Sequence, residues 1–297
     1  MVSQQFLIVD STTLANFVNW GQAVSNFIKS AWTQTADTGQ INWATVALPA
    51  AGAFGGYEIY KPNDALTPTF FLKVQYGRTS GTSTAIMQLT LSTGTDGAGN
   101  PTGITTAVNG TGTQNTLNQS HGVTPWECDF SASGSRLCIL MARNTTSTSG
   151  NGAAFGFIVE RSLNTSGAYT SQYVTILIFG QTGNNNGVIG QSTLLLPAST
   201  VFNVNGGALG IPVTIFDVST SCALGGNIAV SPVFPSYGQF GNPMTGAGSA
   251  RANDVVDGQQ YTSSLYGTTM NFMASKSNGS TGNFGGNNAS ALLMRYE

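Results

Sequence analysis

Short segments rich in β-branched and aromatic residues, each bounded by glycine, proline or asparagine, recur along almost the whole chain. Examples are "GYEIYKP", "TFFLKVQYG", "AIMQLTLST" and "SQYVTILIFG". Runs of this length and composition are typical of strands joined by tight turns. No fixed-period repeat is visible, which argues against a solenoid or a long repetitive shaft. The pattern therefore predicts a protein that is mainly β.

One segment near the N-terminus departs from this pattern. In "DSTTLANFVNWGQAVSNFIKSAW" the apolar residues recur at helical spacing, and they are Leu14, Phe17, Val18, Val24, Phe27 and Ile28. Asp10, Ser11 or Thr12 is expected to cap the first turn. The period predicts one amphipathic helix of about five turns, packed on a sheet.

A glycine- and asparagine-rich patch, "GQTGNNNGVIG", predicts a domain boundary near residue 184. We expect residues 1–184 to form an α+β domain that contains the helix. Within it, residues 94–122 are expected to form a long exposed loop with one weak strand, because they carry little to bury. Residues 185–297 are expected to form an all-β domain that is sandwich-like or barrel-like. Its apolar ending, "SALLMRYE", predicts a docked C-terminal strand.

Charge is scarce along the whole chain. Charged residues make up 7% of it, against roughly a quarter in ordinary domains, and between Arg161 and Arg251 the only charged side chain is Asp217. A net charge of −2 favours association with copies of itself or with other proteins. It excludes a strong electrostatic footprint for nucleic acid. No apolar run predicts a membrane span, and no signal peptide is evident.

Two of the three cysteines flank a predicted hairpin, "WECDFSASGSRLCILM". A turn centred on Ser133 would place Cys128 opposite Cys138. A two-residue loop at 133–134 instead places every apolar partner on one face, so we expect this second register, with Cys138 on the other face. The expected pairs are Phe130–Leu137, Cys128–Ile139 and Trp126–Met141. We therefore expect reduced thiols and no disulfide, as in a protein folded in a cytoplasm.

Asp37-Thr38-Gly39 matches the tripeptide around the catalytic aspartate of aspartic proteases. That mechanism needs a second carboxylate that shares a proton with the first. The sequence has no second D-T-G or D-S-G, and polar residues precede Asp37 where the protease pattern has an apolar strand. We therefore expect a turn, with Asp37 as its cap and Gly39 at a positive φ.

The remaining candidates for chemistry are isolated. His121, the only histidine, is expected in a solvated loop. Glu127 and Asp129 share a strand face that we expect to be solvated or ion-paired. No set of residues has the spacing of a nucleophile and base or of a metal site. We expect neither an enzyme nor a cofactor or metal site.

The stretch "WGQAVSNFIKSAWTQTADTGQINWATVALP", followed by "GYEIYKPNDAL" and "FFLKVQYG", resembles uncharacterised structural proteins of tailed bacteriophages. "FIVERS", "YVTILIFG", "FPSYGQFGNPM", "SLYG" and "ALLMRYE" extend the likeness over most of the chain. The resemblance implies a virion component, of the tail, baseplate or fibre apparatus or of the decorated capsid surface, assembled in the host cytoplasm. It names no catalytic residue and no ligand. By analogy with fibres and decorations, it suggests a homotrimer.

A carbohydrate-binding adhesin for host attachment is the alternative expectation. The tryptophans, Trp20, Trp32, Trp43 and Trp126, and the tyrosines could stack on sugar rings, but most of them lie in patterns that predict burial. Aromatic residues in the loop-rich C-terminal half are the better candidates for contact with a glycan or a partner. These residues are Tyr237, Phe240, Tyr261 and Tyr266.

Overall fold

The structure is a computed structural model of the chain. It describes residues 2–78, 85–105, 116–118, 125–143, 155–164, 166–182, 185–195, 200–205, 230–233, 244–251, 259–265, 267–275 and 290–296. In chain order the strands are Val2–Ile8 (β1), Thr33–Gln34 (β2), Phe54–Lys61 (β3), Phe71–Arg78 (β4), Ala85–Thr95 (β5), Pro101–Thr105 (β6), Thr116–Asn118 (β7), Pro125–Ser133 (β8), Arg136–Arg143 (β9), Phe155–Leu163 (β10), Tyr169–Thr182 (β11), Asn185–Leu195 (β12), Thr200–Asn205 (β13), Ser231–Val233 (β14), Met244–Arg251 (β15), Gln260–Leu265 (β16), Thr268–Ser275 (β17) and Ser290–Arg295 (β18).

The predicted amphipathic helix is confirmed as α1, which spans Leu14–Ala31. Its cap is Thr13, whose hydroxyl accepts from the N–H of Asn16 at 3.1 Å. The cap is therefore one to three residues later in the chain than the expected positions, Asp10, Ser11 and Thr12. The reason is that the Asp10 carboxylate accepts from the N–H of Thr12 at 2.8 Å and from the side-chain amide of Asn16 at 2.9 and 3.0 Å. Asp10 thus supports the capping turn without being the cap itself.

The strands form three sheets, and every strand pair in the described part of the chain is antiparallel. A seven-stranded sheet has the order β1-β8-β9-β10-β11-β12-β13. A six-stranded sheet has the order β2-β3-β4-β5-β6, with β7 also paired to β5, and a five-stranded sheet has the order β14-β15-β18-β17-β16. The fold is therefore mainly β with one N-terminal helix, and its C-terminal sheet is open rather than closed into a barrel.

The main core lies between the seven-stranded sheet on one side and α1 with the six-stranded sheet on the other. Aromatic contacts mark this interface. Phe27 of α1 stacks on Phe130 with ring centroids 4.5 Å apart, and Trp20 packs against Tyr76 at 5.7 Å. All four tryptophans are buried.

The five-stranded sheet packs on the opposite face of the seven-stranded sheet. Strands β15 and β18 contact β9 and β10 there. Gly246 of β15 lies so close to Cys138 and Ile158 that a Cβ atom at this glycine would be 3.0 and 2.9 Å from their side chains. The C-terminal strand β18 is the central strand of this sheet, which confirms the docked C-terminus.

The structure differs from two predictions, one about residues 94–122 and one about a boundary near residue 184. The described part of residues 94–122, predicted as a long exposed loop with one weak strand, contains the end of β5 together with β6 and β7; residues 106–115 and 119–122 lie outside the described residues. Strands β11 and β12 pair across residue 184, the predicted boundary, so β12 and β13 belong to the same sheet as β1.

The β8–β9 hairpin forms, but the expected register is wrong. Ser133 pairs with Arg136, so the two turn residues are 134–135, and Phe130 lies opposite Ile139. Tertiary contacts hold this turn, since the carbonyl of Ser133 accepts from the indole N–H of Trp32 at 2.9 Å. The apolar partners still share one face, Cys138 lies on the other, and Cys128 and Cys138 are free, buried thiols.

Candidate interaction surface

The Asp37-Thr38-Gly39 segment is a turn, with Gly39 at φ +78°. The buried carboxylate of Asp37 accepts from the hydroxyl of Thr95 at 3.1 Å and from the N–H of Gly99 at 3.3 Å. Burial would raise the pKa of Asp37, but the hydrogen bonds to its carboxylate, those from Thr95 and Gly99 among them, together outweigh burial and lower that pKa below its ordinary value. A carboxylate held ionised in this way stabilises a turn.

This turn is fastened to the loop between β5 and β6. The N–H of Thr38 donates to the carbonyl of Gly97 at 2.8 Å, and the hydroxyl of Tyr57 donates to the carbonyl of Thr38 at 2.5 Å. The ammonium group of Lys73 donates to the carbonyl of Gly99 at 2.8 Å and lies 4.4 Å from the centre of the Tyr57 ring. The motif therefore joins two neighbouring loops of the six-stranded sheet.

A second set of charged and polar groups lies between α1 and β3. The buried carboxylate of Glu58 accepts from the hydroxyl of Ser25 at 2.8 Å and from the ammonium group of Lys29 at 2.7 Å. Its other oxygen accepts from the hydroxyl of Tyr60 at 2.6 Å. Burial, and then the charge of Glu58, raise the pKa of Tyr60 well above its ordinary value, so this hydroxyl remains a donor. The group ties the helix to the sheet beneath it.

A third set links the six-stranded sheet to the seven-stranded sheet. The buried guanidinium group of Arg161 on β10 forms an ion pair with Asp64, which lies in the loop between β3 and β4. The same group donates to the carbonyls of Leu66 and Pro68 at 3.2 and 3.1 Å. Ser135, in the β8–β9 turn, donates to Asp64 at 2.9 Å. A buried ion pair is stable only when its remaining donors and acceptors also have partners. These contacts therefore fix the position of the β3–β4 loop against the seven-stranded sheet.

A fourth set links the seven-stranded sheet to the five-stranded sheet. The buried carboxylate of Glu160 accepts from the N–H of Thr245 at 2.9 Å, from the Thr245 hydroxyl and from the N–H of Gly246 at 2.7 Å. The Thr245 hydroxyl also lies 2.9 Å from that of Tyr169. Next to this group, burial raises the pKa of the Cys138 thiol to about 12. The carboxylate thus anchors β15 through two backbone N–H groups.

These links account for most of the buried charge, and the surface is left with little. The buried charged residues are Asp10, Asp37, Glu58, Asp129, Arg136, Glu160 and Arg161. Among the charged residues whose side chains are described, the exposed ones are Lys29, Lys61 and Asp96. A chain that is poor in charge to begin with therefore places much of that charge inside.

The other sequence-predicted residues are distributed as follows. Asp129 is 1% exposed and Glu127 is half-buried, so the strand face expected to be solvated or ion-paired is only partly open to water. Tyr261 is 7% exposed and packs against Phe272 and its neighbours in a smaller core of the five-stranded sheet. His121, Tyr237, Phe240 and Tyr266 lie outside the described residues.

An open groove of about 430 Å³ runs between β1 and the outer face of α1. Its lining is amide, hydroxyl and apolar, and it consists of Gln5, Asn19, Gln22, Ala23, Asn26, Phe27 and Ser30. None of these side chains is charged. The groove was not predicted from the sequence, although its helical part follows the i, i+3, i+7 spacing of Asn19, Gln22 and Asn26.

Strand β1 forms one edge of the seven-stranded sheet and, in the described part of the chain, pairs only with β8. Phe6 of this strand is 58% exposed, and Leu14 at the start of α1 is 43% exposed. They are the large hydrophobic side chains that the described surface exposes. The β1 edge and the adjacent groove are therefore the most distinctive part of that surface.

Comparison with protein-family models gives no match for this chain, and comparison with curated proteins gives no significant match. Among the helices of the described residues, none is long and apolar enough to span a membrane. Within the same ranges, no group of three or more His, Cys, Asp or Glu side chains could hold a metal ion.

Proposed function

We propose that this chain is a structural component of a tailed-phage virion, in the tail, baseplate or fibre apparatus, where it acts by packing and self-association. Capsid decoration is the alternative within the same class. The resemblance in "QTADTGQINW", "GYEIYKPNDAL" and "ALLMRYE" supports the virion assignment. The arrangement of charge supports the mode of action.

The inward placement of charge is the observation that carries the proposal. Asp64 with Arg161 and Glu160 with Thr245 connect layers of the fold, while Lys29, Lys61 and Asp96 are the exposed charges with described side chains. Charged residues are depleted in the cores of protein interfaces, because desolvating them is costly. A surface of amides, hydroxyls and small apolar groups suits permanent contact with other protein.

The test is to locate the protein in purified particles. Mass spectrometry of density-purified virions should detect it at a fixed ratio to the major capsid protein, and immunogold labelling should place it on the tail or on the capsid. Labelling of the tail supports the main assignment, and labelling of the capsid supports decoration. Absence from the particles while the protein is abundant in infected cells would remove both.

Glycan binding is a second candidate function, and the uncharged groove beside α1 favours it. The side-chain amides of Asn19, Gln22 and Asn26 offer the donors and acceptors that sugar hydroxyls require. A glycan array with the wild-type chain should show a ligand that the triple Ala variant at these positions no longer binds. Exposed Gln260 on β16 provides the matched Gln→Ala control. Binding that survives the triple substitution would exclude the groove.

A further inference from the structure

We infer that the outer edge of β1, which has no strand partner among the described residues, is the surface through which two copies of this chain associate, by antiparallel pairing of β1 with β1 of the second copy. This inference rests on the proposed self-association and names the surface that performs it. The edge strand of an antiparallel sheet leaves alternate N–H and C=O groups without a ladder partner. Strand addition satisfies these groups directly.

Proteins normally protect such edges with charge, proline, irregular pairing or shortness. Strand β1 has none of these features, since "VSQQFLI" contains no charged residue and no proline and pairs with β8 without a register shift over all seven residues. Three other edges are protected: β2 has two residues, β6 contains Pro101, and β14 has three residues and contains Pro232. The edge strands β13, "TVFNVN", and β16, "QYTSSL", also lack charge and proline. Among these unprotected edges, β1 is the longest, and it carries the exposed ring of Phe6.

The exposed side chain of Phe6 also favours pairing at this edge. Phe6 is 58% exposed on this strand although large apolar side chains gain free energy when they are removed from water. Its cross-strand neighbour is Glu127 of β8, which is half-buried, so β8 leaves the ring uncovered. A second copy along the free edge provides the missing apolar contact.

A second copy is the occupant because the edge is self-complementary about a two-fold axis. With the axis at Gln5, every residue of Val2–Ile8 has a partner in the second copy, and Gln4 of each copy lies opposite Phe6 of the other. The two Phe6 rings are then diagonal neighbours, within about 8 Å of each other. A two-fold contact of this kind closes on itself. It gives even-numbered assemblies, and a trimeric arrangement would need a further contact elsewhere.

Electrostatics does not oppose this pairing. The acidic side chain nearest to Phe6 along the sheet is Glu127. In the paired form, Glu127 of one copy and Glu127 of the other are separated by three strand spacings, about 14 Å. This is longer than the Debye length of about 8 Å at physiological salt. Lys29, on α1, is already paired with Glu58.

The test is a charge swap at Phe6, read by sedimentation velocity over a range of concentrations. Phe6→Lys and Phe6→Glu should each raise the dissociation constant of the dimer at least about 100-fold, because two rings lose their contact and two like charges become neighbours. An equimolar mixture of the two variants should recover association to within about tenfold of wild type, since opposite charges then meet. Ala47→Lys, at an exposed loop position, adds the same charge and should change nothing.

Hydrogen exchange gives a readout that a folding defect does not imitate. The amides of residues 2–8 should exchange more slowly as wild-type concentration rises, and should show no such dependence in Phe6→Lys, while the amides of α1 stay protected in both. If Phe6→Lys associates as wild type does, this inference fails and the proposed self-association stands. If the wild type is a monomer at every concentration, both fail, and the virion assignment is then decided by the particle analysis alone.

Discussion

The two faces of the seven-stranded sheet are built in different ways. Toward α1 and the six-stranded sheet, the face is apolar and meets an aromatic core, with Phe130 stacked on Phe27. Toward the five-stranded sheet, the face carries Glu160, which holds Thr245 and Gly246 through their backbone N–H groups. Apolar contact contributes free energy in proportion to area and tolerates small shifts. A buried carboxylate is stable only where hydrogen-bond donors contact it, so Glu160 fixes the position of the five-stranded sheet relative to the seven-stranded sheet.

The largest expected effect is the loss of the apolar interface. Phe17, Val24 and Ile28 of α1 are fully buried. Replacing any one of them by Ala should lower the free energy of unfolding by roughly 2–5 kcal/mol, with Val24 at the low end, because each change leaves a cavity. The triple variant should be insoluble. Leu14→Ala, on the exposed side of the same helix, is the control and should change stability by less than about 0.5 kcal/mol. A triple variant with an unchanged melting temperature would show that the stripe is not a core.

A subtler disturbance of the same interface comes from adding a single methyl group. Gly21 lies within α1, and a Cβ there would be 2.3 Å from the ring of Trp43. Alanine favours a helix over glycine by about 1 kcal/mol, so helix propensity alone predicts that Gly21→Ala stabilises the protein. We expect the reverse, a loss of about 1–3 kcal/mol, because the core must shift around the methyl group. Denaturant unfolding measures this, and a stabilised variant would contradict the close packing of Trp43.

The polar interface is tested by Glu160→Gln. Glutamine keeps one acceptor oxygen and replaces the other with an NH₂ group, which donates and cannot accept. One of the two backbone N–H groups therefore loses its partner, and about 1–3 kcal/mol of local stability should be lost. The two buried cysteines report where this loss occurs, because Cys128 faces the apolar core and Cys138 faces the five-stranded sheet. Thiol labelling with peptide mapping should find Cys138 modified faster in the variant and Cys128 unchanged. Equal acceleration at both thiols would mean that the two interfaces open together.

The smallest expected effect lies outside both interfaces, at the Asp37 turn. Asp37→Asn should cost less than about 1 kcal/mol at neutral pH. The folded-state pKa of Asp37 is lowered, so its contribution is fully present above the unfolded-state pKa of about 3.9. It is lost as the pH falls through the folded-state value. The stability difference between wild type and variant should therefore begin to decline below about pH 4 and vanish only below the folded-state pKa. A difference that grows in acid would contradict the hydrogen-bonding assignment.

The elements that sequence reasoning found are those specified by local pattern. The stripe of Phe17, Val24 and Ile28 predicted α1, and the apolar ending predicted β18, because the side-chain period alone carries this information. The β8–β9 register was missed for the opposite reason. The turn is held by Trp32 from α1 and by Asp64 from a distant loop, and neither contact appears in the hairpin's own residues.

Burial of charge was the other feature that the sequence did not reveal. Glu58 in "GYEIYKP" and Glu160 in "FIVERS" resemble polar positions on half-exposed strands, yet both are buried. Their partners, Lys29 for Glu58 and Thr245 for Glu160, are 29 and 85 residues away in the chain. The charge depletion was visible in composition, but the inward placement of what charge remains depends on long-range packing.

The central claim is that the chain assembles through uncharged surface, and its salt dependence tests this most directly. Sedimentation velocity of the full chain should be measured at low and at high sodium chloride concentration, and again with added sulfate. Charge-driven association weakens as salt screens it, whereas apolar contact persists and sulfate strengthens it. We predict oligomers that survive high salt and grow in population with sulfate. A complex that dissociates as salt is added, or a monomer under every condition, would contradict the account.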